Sequence, residues 1–67
     1  MPKITIEAAR VNAGLTQEEL ANKMGVSKQT VFDWENGKRE IRTAYLYALC
    51  HITGFEEDDF ILPKRTT

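Results

Sequence analysis

The sequence has a single cysteine, two prolines and no apolar run longer than the seven residues from Ala44 to Cys50. A lone cysteine makes no internal disulfide, so stability must come from packing and nothing points to an oxidising compartment. The apolar run falls far short of the roughly 20 residues that cross a bilayer. No charged-then-apolar segment opens the chain as a secretion signal would. The expectation is a cytoplasmic protein with no membrane partner. Internal repeats and low-complexity segments are also missing. At 67 residues there is room for one domain, because chains near this size bury only roughly 60% of their unfolded surface.

Catalytic and metal chemistry are short of residues as well. Cys50 and His51 are neighbours, but on a helix adjacent side chains point roughly 100° apart and cannot form a nucleophile–base dyad. Cys50 reads instead as a small hydrophobe beside Leu46 and Leu49. One Cys and one His fall short of the roughly four ligands of a structural zinc site. The acidic run from Glu56 to Asp59 lacks the alternating spacing and central glycine of a calcium loop, and suits the opening of a helix, where the dipole favours carboxylates. Neither an enzyme nor a cofactor, metal or small-molecule site is expected.

What is present is the balance of a folded globule: 42% hydrophobic and 28% charged residues, well away from the composition of disordered chains. The net charge of −1 is unevenly spread. Residues 1–55 carry seven Lys/Arg against six Asp/Glu, and the four acids of 56–59 then outweigh Lys64 and Arg65. The segment Lys38-Arg39-Glu40-Ile41-Arg42 is a small basic cluster within this balance.

Gly14, Gly25, Gly37 and Gly54 each follow a helical-looking stretch and read as helix stops. Thr16 with Glu19 three residues on forms a capping box, and Ser27 and Thr43 suit N-cap positions. These signals predict an all-α chain with helices over about 6–13, 17–24, 28–36 and 44–53, and a short fifth helix over about 57–61. The Ile4-Thr5-Ile6 alternation is too brief to predict a strand. The domain is expected to span residues 1–63, with a disordered tail at 64–67.

The second and third of these helices are joined by a short turn containing Gly25. Leu20 faces inward, Ala21 is small where another helix must cross, and Val26 plugs the turn. Val31 and Trp34 recur at a spacing of three and point into the core. Two helices joined in this way have helix-turn-helix geometry, in which the second helix can enter a major groove.

In Thr16-Gln17-x-x-Leu20-Ala21-x-x-x-Gly25-Val26-Ser27 and Val31-x-x-Trp34-Glu35-Asn36-Gly37-Lys38 the chain closely resembles the Cro/repressor helix-turn-helix family of phages and bacteria. The likeness extends from Ala9-Arg10 and Gly14-Leu15 to Gly54-Phe55 and Asp59-Phe60. It implies a compact five-helix, lambda-repressor-like DNA-binding domain. It also implies that Arg10 and Glu35 form a structural ion pair, and that Phe60, Ile61, Leu62 and Pro63 supply a dimer interface. The function implied is a Cro-like repressor that binds a pseudo-palindromic double-stranded DNA operator as a homodimer.

With Val31 and Trp34 inward, the outward face of the third helix is Lys28, Gln29, Phe32 and Asp33, with Thr30 at its flank. Gln29 suits the paired donor and acceptor of adenine, Lys28 suits guanine, and the Thr30 methyl can meet a thymine methyl. Asp33 can accept from cytosine, yet phosphates repel it, so it stands between base reading, exclusion and simple solvation. Gln17, at the start of the second helix, and Asn36, Lys38, Arg39 and Arg42 are the expected phosphate contacts. The competing reading of both groups is a solvated helix face and a solubilising loop. Two functional alternatives share the fold: an antitoxin or restriction-modification controller, and a protein-binding module that has lost DNA affinity.

Overall fold

The computed structural model describes residues 3–62. Strand β1 (Ile4–Thr5) leads directly into α1 (Ile6–Asn12), followed by α2 (Gln17–Met24), α3 (Lys28–Glu35) and α4 (Thr43–Thr53). A 3₁₀ turn at Glu57–Asp59 and strand β2 (Phe60–Ile61) are the last elements among the described residues.

Each early helix begins where a side chain satisfies a backbone N–H that the first turn leaves unpaired. Thr5 Oγ1 accepts from Ala8 N at 3.1 Å, and Ser27 Oγ accepts from Thr30 N at 3.1 Å. The capping box is complete at α2: Thr16 Oγ1 accepts from Glu19 N, and Glu19 Oε1 accepts from Thr16 N. Thr43 is the first helical residue of α4 rather than its cap, which is Arg42 and makes no side-chain cap bond. α1 and α3 each end one residue earlier than their sequence pattern suggests, at Asn12 and Glu35.

Among the described residues there are four α-helices, not five. After Gly54 the backbone makes only the three-residue 3₁₀ turn, which Asp59 Oδ2 secures by accepting from Glu56 N at 3.0 Å. Phe60 then continues in extended conformation, buried with its ring edge-on to Phe55 at 6.3 Å. Anchoring that ring in the core draws the chain straight, and its backbone groups find partners on the first strand. β1 and β2 pair in parallel, with Ile4 opposite Phe60 and Thr5 opposite Ile61. The brief Ile4-Thr5 alternation is therefore a strand after all. A two-residue strand has too little local pattern to be read, because its partner lies 56 residues away in sequence.

Ile6, Ala9, Leu20, Ala21, Val31, Trp34, Ile41, Leu46, Leu49 and Phe60 make the core, so every element except β1 contributes a buried apolar side chain or, in the 3₁₀ turn, the buried Asp59. Two charged residues, Arg10 and Asp59, are buried with them. Among the described residues every buried side-chain nitrogen and oxygen has a hydrogen-bond partner.

Candidate nucleic-acid interface

The turn between α2 and α3 depends on Gly25, which takes φ +70°. That left-handed step lets Val26 N donate back to Ala21 O at 3.0 Å and sends the chain sharply into the Ser27 cap. Ala21 is 2% exposed, a small side chain packed in the core beside the turn. α3 is fastened by Val31 at 0% and Trp34 at 2% exposure. Holding these two inward leaves Lys28 and Gln29 exposed on its opening turn, with Thr30 half-buried beside them.

The polar groups of this face are organised among themselves. Gln29 Nε2 donates to Asp33 Oδ1 at 2.9 Å, one helical turn along. The hydroxyls of Ser27 and Thr30 share a hydrogen bond at 2.9 Å. Asn36 Nδ2 donates to Phe32 O at 2.8 Å, a carbonyl that also accepts from Asn36 N at 3.0 Å. The Lys38 ammonium stands 5.5 Å from the centre of the Phe32 ring, a cation–π contact that steadies a partly exposed aromatic.

Beyond α3 the chain turns through Gly37, and the backbone N–H groups of Lys38 and Arg39 both donate to Asp33 O, at 2.9 and 3.2 Å. This ties the basic loop to the helix. Arg39 and Arg42 line a cleft of about 630 Å³ whose other walls include Ser27, Thr30, Trp34 and Tyr45. Trp34 and Tyr45 meet at 5.4 Å along one wall. The cleft thus brings the expected phosphate-binding arginines beside Thr30, while Lys38 lies over the outer face of α3.

Gln17, Arg10 and Glu35 form a separate group. Arg10 Nε donates to Glu35 Oε2 at 2.7 Å, and Arg10 Nη1 donates to Leu15 O at 2.8 Å. Gln17 Nε2 donates to Glu35 Oε1 at 3.0 Å, so this half-buried amide is engaged within the protein. Of the residues expected at a dimer interface, Phe60 is 8% exposed and belongs to the core of the monomer. Ile61 and Leu62 are 49% and 40% exposed, and Pro63 lies outside the described residues.

Three features of the site escape a reading by residue type: the Gln29–Asp33 bond, the Lys38–Phe32 contact and the Gln17–Glu35 bond. The first was available as a spacing of four on one helix. The other two join residues whose proximity depends on the turn after α3 or on the docking of α2.

Elsewhere, no group of three or more His, Cys, Asp or Glu among the described residues is arranged to hold a metal ion. Among the described residues no helix is long and apolar enough to cross a membrane. Cys50 is half-buried, and burial followed by the nearby carboxylates of Glu57 and Asp59 pushes its thiol pKa up.

Comparison with known proteins agrees with this architecture. The helix-turn-helix family model matches residues 6–60. A protein of Methanothermobacter thermautotrophicus described as an uncharacterized HTH-type transcriptional regulator is 39% identical over 61 residues, covering 88% of each chain. The crystal structure of the clp gene regulator ClgR from C. glutamicum superposes with a TM-score of 0.72 at 30% identity, covering 81% of this chain and 70% of that one. The chain belongs to the helix-turn-helix family of transcriptional regulators, with α2 and α3 as its two-helix unit.

Proposed function

We propose that the protein is a Cro-like repressor that occupies a pseudo-palindromic operator as a homodimer, each copy laying α3 in a major groove. The observation that carries this reading is the orientation of α3: Val31 and Trp34 are buried while Lys28 and Gln29 are exposed on its opening turn. The opening turn is the part of a recognition helix that reaches base edges. Lys28, Gln29 and Thr30 are assigned to bases, and Lys38, Arg39, Arg42 and Asn36 to phosphates, which position the protein without reading sequence. For Gln17, the backbone N–H groups at the start of α2 supply the anion contact while its side chain holds Glu35.

A single helix-turn-helix reads few base pairs, so useful affinity calls for two copies on half-sites about one helical turn apart. The exposed Ile61 and Leu62 supply the apolar side chains for that pairing. The test is a titration of DNA from the protein's own promoter region at rising salt, with stoichiometry by analytical ultracentrifugation. Steep loss of affinity with salt and two chains per duplex are expected. Salt-independent binding, or no binding, rejects DNA as the partner, and one chain per operator rejects the dimer.

A further inference from the structure

We propose that Asp33 is a positioning residue that makes Gln29 select adenine over guanine. The inference rests on the DNA-binding reading above and concerns how α3 discriminates between the two purines.

A carboxylate only accepts hydrogen bonds, so the 2.9 Å contact between Gln29 and Asp33 must use one of the two N–H groups of the Gln29 amide. One N–H and the carbonyl Oε1 remain. That is the donor and acceptor pair that matches adenine, which presents N7 as acceptor and N6–H as donor in the major groove. Guanine presents two acceptors, N7 and O6, and its bidentate recognition needs both amide N–H groups. With one of them held by Asp33, guanine is left with a single hydrogen bond and an O6 facing Oε1.

Asp33 is well placed to impose this. It is half-buried, whereas Gln29 is exposed. Its own carbonyl is pinned by the N–H groups of Lys38 and Arg39, which fix the last turns of α3 against the loop. The terminal torsion of a free glutamine is broad and roughly two-fold, so without a partner the amide would present either edge. The carboxylate therefore acts on the base through Gln29 and needs no base contact of its own.

The test is competition binding of the full-length chain to duplex libraries randomised across a half-site. The unaltered protein should prefer adenine to guanine about tenfold at one position, the discrimination of a good bidentate pair. Gln29→Ala should abolish that preference. Asp33→Ala should bring adenine and guanine toward parity by improving guanine, while Asp33→Asn, which keeps an acceptor oxygen without the charge, should retain the preference. In the Gln29→Ala background Asp33→Ala should change nothing at that position.

Loss of a carboxylate should raise the affinity of Asp33→Ala for random duplex, and that rise shows that the variant is folded. An unchanged adenine-to-guanine ratio in Asp33→Ala overturns the inference and leaves DNA binding standing. So does a cytosine preference that disappears with Asp33 even when Gln29 is already alanine, because Asp33 would then read the base itself. Absence of salt-sensitive binding by the unaltered chain overturns the functional reading and this inference together.

Discussion

The guanidinium of Arg10 on α1 is joined to the carboxylate of Glu35 in the last turn of α3, with 2.7 Å between Arg10 Nε and Glu35 Oε2 and side-chain exposures of 10% and 3%. The pair bolts the first helix to the end of the helix that faces outward with Lys28 and Gln29. Removing one partner of a buried pair strands the other, at a cost of about 3–5 kcal/mol. Glu35→Ala should therefore destabilise the protein by that order in urea unfolding. The double variant Arg10→Met with Glu35→Leu should recover much of the loss, because no charge is left without a partner.

Gly25 offers a different kind of sensitivity. A Cβ built at this position meets nothing within 4 Å, so Gly25→Ala carries no steric clash. Its cost is that of holding an L-residue at φ +70°, about 1–2 kcal/mol. Thermal unfolding should show that modest loss with helical content unchanged. A drop as large as that of a core truncation would mean that the turn is crowded.

Much of this architecture was legible in local signals, and what was not depended on distant partners. The Thr16 capping box and Gly25 bracket α2 at Gln17 and Met24, the bounds its pattern predicts, because both signals act within a few residues. The inward direction of Val31 and Trp34 likewise followed from spacing alone. The segment after Gly54 did not. Its acids and apolar residues look helical in isolation, but the burial of Phe60 and the pairing with Ile4 override that preference. The resemblance implies an interface role for Phe60, and residue type alone does not say which apolar side chain reaches the monomer's own core, where Phe60 is buried. In the site, residue types pointed to the exposed face of α3, whereas the engagement of Gln17 with Glu35 required knowing how α2 docks on α3.

Arg42 lines the cleft beside Thr30 and Tyr45. As a phosphate contact it should be indifferent to sequence, so Arg42→Ala should weaken operator and random DNA alike. The slope of log affinity against log salt should fall by about one unit. A change confined to particular bases would assign Arg42 to base reading.

Ile61 and Leu62 are exposed apolar neighbours at the end of the described chain. Ile61→Glu combined with Leu62→Glu should shift sedimentation to the monomer and reduce operator affinity, with the unfolding midpoint of the monomer little changed. Phe60→Ala, by contrast, should lower stability by about 3–5 kcal/mol, as expected of a buried aromatic.

The thiol of Cys50 has its pKa raised by burial and then by the neighbouring carboxylates of Glu57 and Asp59. For an acid whose folded pKa lies above its unfolded value, the unfolded chain loses its proton first as pH rises. Stability should accordingly fall as the solution passes through the ordinary thiol range. Urea unfolding across that range should show the decline, and Cys50→Ala should flatten it. Alkylation of the folded protein near neutral pH should also be slower than that of the unfolded chain.

The pairing of Ile4 with Phe60 stitches the two extremities of the described residues side by side. They cannot fray independently. A protease that trimmed the leading residues would strip the backbone partner from β2, loosen the ring of Phe60 and disturb the Ile61 and Leu62 surface beyond it. The leading strand and the exposed Ile61 and Leu62 side chains are thereby bound to one short seam.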